Sequence, residues 1–184
     1  MANSKLKPFR DYDEHDVINL FRWSGTVPAY RGTIVTIQTG WMESDELQML
    51  GSVGASYVDV QSQRYGVQAM VRGALTGDAR PLGMLLHDVK ETDENGEKLI
   101  YNPRKVAEME VALSGQAVPV VTKGMFLVSG DTISTQSPAA NQALYVDANG
   151  QLTTGFAGTD QKVVGKALGT LDATSKSVLV KLEL

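Results

Sequence analysis

The chain ends in Ser177-Val-Leu-Val-Lys-Leu-Glu-Leu184, and this stretch decides the fold class. Apolar residues fall at every second position, which is the pattern of a β-strand that turns one face toward a core. The face predicted to point inward carries Val178, Val180, Leu182 and Leu184. The opposite face carries Leu179, Lys181 and Glu183. The sequence therefore predicts a half-buried strand that closes a β-sheet.

The residues before this strand indicate further short strands joined by tight turns. Apolar segments predict strands at 125–129, 143–147, 151–154 and 162–168. Asn149-Gly150, between two of these segments, is a strong signal for a two-residue hairpin turn. We therefore predict a small β-barrel over residues 118–184.

Residues 32–117 are predicted to be β-rich, with two short helices. Strands are expected at 32–38, 67–72 and 82–89, and Asn95-Gly96 predicts a hairpin turn into a strand at 98–101. One helix is expected at 44–51, with Ser44 as its N-cap. The other begins at Asn102-Pro103, because asparagine caps a helix and proline suits its first position. The fold class is therefore mainly β.

A weak internal similarity leaves two architectures open. The same pair of predicted strands occurs twice: a strand that starts with glycine, followed later by a strand with a central glycine. The first pair contains Gly32 and Gly83, and the second contains Gly124 and Gly165. Glycine within a strand usually marks a bulge or a barrel corner. Two related β-units would explain the similarity. A single barrel with an elaborated N-terminal half is the simpler interpretation.

Residues 1–31 differ from the rest, because they hold nine charges and five of the twelve aromatic residues without a clear helix or strand period. So many large apolar groups do not suit a solvated tail. We predict an extended arm that lies against its own barrel, a sister subunit or a larger partner. Removal of residues 1–25 should then leave a folded barrel that binds its partner far more weakly. The predicted partner contacts are Lys5, Leu6, Phe9, Arg10, Tyr12, Phe21, Trp23 and Tyr30.

Composition excludes several classes of protein. The 17 Lys and Arg against 21 Asp and Glu give a net charge of −4, unlike the concentrated positive charge of nucleic-acid-binding proteins. The chain has no cysteine, which excludes disulfides, thiolate nucleophiles and cysteine-ligated zinc. No run of 18 apolar residues predicts a membrane span, and no secretory signal is expected at the N-terminus.

The motifs of common enzymes are missing from the sequence. It contains no G-x-x-x-x-G-K-[ST], no G-x-G-x-x-G and no G-x-S-x-G. The two histidines, His15 and His87, are too few for a usual zinc site. We interpret His15 as part of a solvated charged segment and His87 as a hydrogen-bonded structural residue. We therefore predict no catalytic residue, no metal site and no cofactor.

Four carboxylates could in principle form a glycosidase pair, but they bracket the predicted turn at Asn95-Gly96. We expect water to solvate them there, so burial should not raise their pKa. These residues are Glu91, Asp93, Glu94 and Glu97.

Trp23 and Trp41 could stack on sugars, which keeps a carbohydrate-binding module as an alternative. Packing or a protein interface is the favoured role for both tryptophans.

Four segments of the C-terminal third together resemble a known family. They are Gly124-Met-Phe-Leu-Val-Ser-Gly-Asp131, Ala143-Leu-Tyr-Val-Asp-Ala-Asn-Gly-Gln-Leu-Thr153, Val163-Val-Gly-Lys-Ala-Leu-Gly169 and Ser177-Val-Leu-Val-Lys-Leu182. Their order resembles the head decoration (cement) proteins of tailed bacteriophages, including the lambda-type β-tulip decorators. The similarity covers about residues 118–184.

The resemblance implies a function. Such proteins bind the outer surface of the expanded head, bridge neighbouring units of the major capsid protein and resist the pressure of the packaged DNA. They usually act as trimers and sometimes as dimers, and they join the virion in the host cytoplasm. The resemblance therefore implies a structural, non-enzymatic protein. Another phage part, such as a tail or head-completion component, remains the main alternative.

Overall fold

The computed structural model describes residues 5–8, 16–40, 69–78, 80–129, 132–134, 138–156, 158, 161–172, 174 and 177–184. In this part the chain is mainly β, which confirms the predicted fold class. The strands are β1 (Lys5–Pro8), β2 (Val17–Ile18), β3 (Arg22–Trp23), β4 (Ile34–Thr39), β5 (Met70–Gly73), β6 (Gly83–Leu85), β7 (Asp88–Val89), β8 (Val111–Ala112), β9 (Val120–Val121), β10 (Lys123–Ser129), β11 (Ala143–Val146), β12 (Leu152–Thr153), β13 (Gly165–Ala167) and β14 (Ser177–Glu183). Two short helical segments accompany them, a 3-10 helix at Leu99–Tyr101 and α1 (Pro103–Glu108).

Six strands form an antiparallel sheet, here called sheet I, in the order β1-β10-β14-β13-β11-β12. Its longest ladder joins β10 to β14 over seven residue pairs, from Lys123 and Glu183 to Ser129 and Ser177. The predicted inward face of β14 is confirmed for Val178, Val180 and Leu182, which are buried. The prediction is wrong for Leu184, which follows the strand and is exposed.

Six other strands form sheet II, in the order β2-β9-β6-β4-β5-β3. The pairs are antiparallel except β3 and β5, which run parallel. β9 lies within the predicted barrel region, yet it pairs with β2 and β6. β1 lies within the predicted arm, yet it pairs with β10. Strand pairing therefore crosses both boundaries expected from the sequence, after residues 31 and 117.

One apolar cluster joins the two sheets. Phe126, Leu144 and Leu182 of sheet I share it with Ile34 and Met84 of sheet II, and all five side chains are almost fully buried. Sheet II therefore covers the buried face of sheet I. A second cluster, around Val35, Val71, Leu85, Val118 and Val120, belongs to sheet II and the segments beside it.

The middle region departs from the prediction in two places. The strand expected at 82–89 is interrupted after Leu85, because the chain leaves sheet II and β7 pairs in parallel with β8. Leu99–Tyr101 is a 3-10 helix and not a strand. The helix after Asn102 is confirmed, and the Asn102 side chain accepts a hydrogen bond from the Lys105 amide at 3.3 Å. The helix expected at 44–51 lies outside the described residues.

The two predicted hairpin turns share one geometry. In each, an aspartate carboxylate accepts hydrogen bonds from the amides two and four residues later, at 2.8–2.9 Å. The donors are Asn95 and Glu97 for Asp93, and Asn149 and Gln151 for Asp147. Gly96 and Gly150 occupy the same place in the two turns, with φ of +82° and +74°. Only glycine adopts this backbone conformation without strain.

The turn at Gly150 also connects the two sheets. The Gly150 carbonyl accepts a hydrogen bond from the amide of Ile34, the first residue of β4, at 2.8 Å. A Cβ atom at Gly150 would lie 3.0 Å from a Thr33 methyl group and 3.1 Å from the Ile34 carbonyl oxygen. A Cβ atom at Gly96 would meet nothing within 4 Å. The hairpin of sheet I is therefore packed directly against the start of β4.

We predict that Gly150→Ala destabilises the protein more than Gly96→Ala. Both substitutions force alanine into a positive φ, which costs about 1–2 kcal/mol. Gly150→Ala also pushes a methyl group into β4, which should add about 1–3 kcal/mol. Urea unfolding of the two variants measures the difference. Equal losses would show that the turn at Gly150 does not pack against β4 in solution.

The described part of the arm packs against the chain's own sheets. β1 is the edge strand of sheet I, and Leu6 lies in the cluster that joins the sheets. Phe21 is buried in the cluster of sheet II, and its carbonyl accepts a hydrogen bond from the Val118 amide at 2.8 Å. Deletion of residues 1–25 would remove three paired strands and two core side chains, so we now expect it to destabilise the barrel as well as weaken partner binding.

We predict that Phe21→Ala lowers the free energy of unfolding by about 3–5 kcal/mol, because it leaves a cavity in the core. Chemical denaturation measures the loss. Tyr101→Ala is the matched control, since the Tyr101 side chain is exposed and its loss should change stability by about 0.5 kcal/mol or less. Similar small effects for both variants would contradict the packing of the arm on its own chain.

Candidate interaction surface

Two predicted partner contacts are part of the protein's own core. Leu6 is 7% exposed and Phe21 is 6% exposed. Neither side chain can reach a partner unless β1 or the segment around β3 leaves its sheet. Each side chain fills a cluster that the chain forms by itself, and a partner contact by either residue stays a prediction.

Trp23 and Tyr30 also contact their own chain. The Trp23 indole donates a hydrogen bond to the Thr26 carbonyl at 3.1 Å, and its ring lies so close to Gly25 that a Cβ atom there would collide with it. The Lys90 ammonium lies 5.7 Å from the centre of the Tyr30 ring, a cation–π distance. Since Gly25 occupies one side of the Trp23 ring, that side is closed to a stacked sugar. These contacts fit the packing role of Trp23, and its partner-binding role stays a prediction.

The remaining predicted contacts lie at the limits of what the structure describes. Lys5 pairs with Ser129 through the backbone of β1. Phe9, Arg10 and Tyr12 lie outside the described residues, as do His15 and Trp41. A partner-binding role for Phe9, Arg10 and Tyr12 stays a prediction.

His87 borders a cluster of charges that fastens Arg31 to the middle of the chain. The Asp88 carboxylate accepts a hydrogen bond from the Arg31 amide at 2.8 Å and lies 2.8 Å from the Lys90 ammonium. The Arg31 guanidinium also lies 3.2 Å from Glu110. Burial lowers the pKa of His87, and Arg31 adds to this shift while Glu110 and Asp88 oppose it. No His87 hydrogen bond is found in the described part of the chain, so half-burial beside these charges replaces the predicted hydrogen-bonded role.

Neither a metal site nor a membrane-spanning helix is found among the residues that the structure describes. Across the residues that the structure describes, no three histidine, aspartate or glutamate side chains converge closely enough to hold a metal ion. The helices of this part of the chain also include none with the length and apolar character needed to cross a bilayer.

Asp93 corrects the expectation of four solvated carboxylates at the first hairpin. Its carboxylate is buried, and it forms an ion pair with the Lys105 ammonium of α1 in addition to the two turn hydrogen bonds. Glu91, Glu94 and Glu97 are exposed as expected. The hydrogen bond from Lys105 lowers the pKa of Asp93, and the amides of Glu97 and Asn95 lower it further. The same contact raises the pKa of Lys105. Asp93 is therefore a structural anion that holds α1 against the turn.

We predict that Asp93→Asn destabilises the protein in a pH-dependent way. An unfolded aspartate has a pKa of about 3.9, and the folded value is lower, so the carboxylate stabilises the protein above about pH 4. This contribution is lost as the pH falls through the lowered pKa. Thermal unfolding from pH 7 to pH 2 should show the wild type and the variant converging in acid. Glu94→Gln is the control in the same turn and should match the wild type throughout; a constant offset for Asp93→Asn would contradict the ion pair.

The outer face of sheet I presents apolar side chains in a row. Leu127 of β10 lies opposite Leu179 of β14, and the backbone of Leu168 bonds to that of Leu179 from the other side. Leu168 is exposed, and Leu127 and Leu179 are partly exposed. These residues alternate with the buried positions of the same strands, so the face points away from the shared core.

Lysines lie beside this row. Lys181 of β14 has Met125 of β10 on one side and Lys166 of β13 on the other. Lys123 lies opposite Glu183 at the end of the β10–β14 ladder. Lys181 forms an ion pair with Glu183, and this contact lowers the pKa of Glu183, with smaller contributions from Lys166 and Lys123. We call this surface the lysine face, defined by Lys123, Lys166, Lys181, Leu127, Leu168 and Leu179.

Sequence reasoning did not single out the lysine face. The alternation of the last strand had placed Leu179, Lys181 and Glu183 together, which was the available signal. The same pattern could not predict which strands lie beside the last one. Lys123 and Lys166 precede Lys181 by 58 and 15 residues in the chain. Only the register brings the three lysines onto one surface.

A comparison with protein families gives one match. The model described as structural cement protein (E217 gp24/Pam3 gp6) matches residues 23–184, which include all of the lysine face and strands of both sheets. A comparison with curated proteins finds no match. The matched family is a family of phage structural proteins with a capsid-stabilising role and a place in the virion capsid. The resemblance found in the C-terminal third is confirmed, and the chain belongs to the structural cement protein family of bacteriophages.

Proposed function

We propose that this protein binds the outer surface of the expanded phage head and bridges neighbouring subunits of the major capsid protein. In that position it strengthens the shell against the pressure of the packaged DNA. The observation that carries the proposal is the family match over residues 23–184. The protein's partners in this proposal are capsid protein and further copies of itself, not nucleic acid or a membrane, and it acts without catalysis or a cofactor.

The shared core suits a protein that must transmit force between two capsid subunits. Since Phe126 and Leu182 of sheet I pack with Ile34 and Met84 of sheet II, the two sheets cannot separate without opening that core. A load applied to one sheet is therefore passed to the other. Two sheets that touch different capsid subunits would act as a clamp.

Several linked copies would increase the strength of the clamp. We propose a homo-oligomer, with a trimer as the first expectation and a dimer as the alternative. When one copy is bound, the next binds at a high effective concentration, so modest contacts combine into tight attachment. Assembly in the host cytoplasm and final placement on the outer capsid surface complete the proposal.

We predict saturable binding to expanded shells that lack their cement protein. Mixing, sedimentation and imaging should show a fixed number of copies over the whole shell, and the bound shells should withstand higher temperature. At a free concentration 100 times the Kd, binding adds about 2.7 kcal/mol per site to the stability of the bound form. Light scattering of the free protein measures the number of copies per oligomer.

Three results would contradict the proposal. Binding at a single vertex would favour a tail or head-completion component. Binding to a glycan array, together with quenching of tryptophan fluorescence by the bound sugar, would favour a carbohydrate-binding module. No binding to shells in either maturation state would exclude a capsid-stabilising function under these conditions. Unexpanded shells are the control for the requirement that the head has matured.

A further inference from the structure

The lysine face contains an unfavourable pair in the free protein. Lys166 and Lys181 lie directly opposite each other on adjacent strands. Like charges in such positions destabilise a sheet. Lys181 has Glu183 as a partner, whereas Lys166 and Lys123 form no ion pair within the described residues. An anionic group placed beside Lys166 would relieve this repulsion.

The charge of the face is opposite to that of the whole chain. The three lysines of the face and the adjacent Glu183 give a local net charge of +2 (3 − 1), while the chain carries −4. Positive charge is thus concentrated where strands β10, β13 and β14 meet. A surface with carboxylates would be attracted to this face and repelled by most of the remaining protein.

The leucine row supplies the apolar part of a contact. Leu127, Leu179 and Leu168 lie side by side and keep part of their surface in water. Interfaces commonly have an apolar centre and a polar rim. Here the leucines would form the centre, and the lysines would form the rim on one side.

We propose that the lysine face is the surface that docks on the capsid shell, and that it does so against an acidic patch of the major capsid protein. This inference rests on the proposed function and specifies the side of the protein that carries it. Leu127, Leu168 and Leu179 lose their contact with water on docking, and carboxylates of the capsid neutralise Lys123, Lys166 and Lys181.

A second copy of this chain fits the face less well in a two-fold arrangement. In such a contact the same patch of both copies meets itself. Two patches that are each rich in lysine would then face each other, and the two chains carry −4 each. Charge repulsion opposes that contact both at the face and over the whole protein. The acidic capsid patch is therefore the occupant that the charges favour.

The test compares Lys166→Glu with the wild type on expanded shells. The variant places opposite charges at the unfavourable pair, so its thermal midpoint should be equal to or higher than that of the wild type. Its apparent Kd for shells should nevertheless rise at least about tenfold in 0.1 M salt, where the screening length is about 10 Å. In 1 M salt, with a screening length of about 3 Å, the two proteins should bind alike.

Lys98→Glu is the matched control, because it changes the net charge by the same amount at an exposed site in the turn after β7. It should bind shells like the wild type.

Unchanged binding of Lys166→Glu would overturn the inference while the proposed function stands. Equal weakening by both variants would overturn it in favour of a total-charge effect. A changed oligomeric state of free Lys166→Glu with normal shell binding would assign the face to a second copy. Failure of the wild type to bind would instead contradict the proposed function itself.

Discussion

The apolar core between sheet I and sheet II is the constraint on which the rest of the structure depends. The apolar face of sheet I around Phe126 and Leu182 needs a cover that excludes water. Ile34 and Met84 of sheet II provide that cover, and the turn at Gly150 bonds to Ile34 at the junction. Burial of this surface provides most of the favourable free energy of folding. The two sheets consequently fold as one body.

The position of the arm changes how a cement protein of this kind can bind. Leu6 and Phe21 fill the cores of the protein itself, and β1, β2 and β3 complete the two sheets. Aromatic residues that appear suited to a partner in the sequence are thus used for folding. Among the surfaces that the described part of the fold leaves open, the lysine face combines apolar and charged groups.

Charged groups have two separate roles in the structure. Asp93 and Lys105 form an ion pair that joins a turn to α1. Asp88 forms an ion pair with Lys90 and accepts a hydrogen bond from the Arg31 amide. These pairs connect segments of the chain and are satisfied internally. Lys123 and Lys166 are different, because no carboxylate within the described residues forms an ion pair with them. Their charges act on Glu183 only over a longer distance, so their ammonium groups can form an ion pair with a partner.

The two glycines behind the internal similarity show how far sequence patterns reach. Gly83 and Gly165 do lie in strands of sheet II and sheet I, and a Cβ atom at either one would collide with the backbone of the neighbouring strand. The sequence pattern predicted a bulge or a barrel corner at these glycines, whereas the structure shows a close approach of neighbouring strands at both. The pattern did not identify the pairing, since β4 pairs with β6 whereas β14 separates β10 from β13.

The sequence by itself determined the mainly β fold, the bounds of β14, the turns at Gly96 and Gly150 and the helix after Asn102. Each of these depends on residues close together in the chain, through side-chain alternation, glycine at positive φ and helix capping. Tertiary structure alone decided that β1 and β9 join different sheets, that Asp93 is buried and that three lysines share one face. Those features depend on which strands meet across the core, and contacts between distant segments leave no local pattern in the sequence.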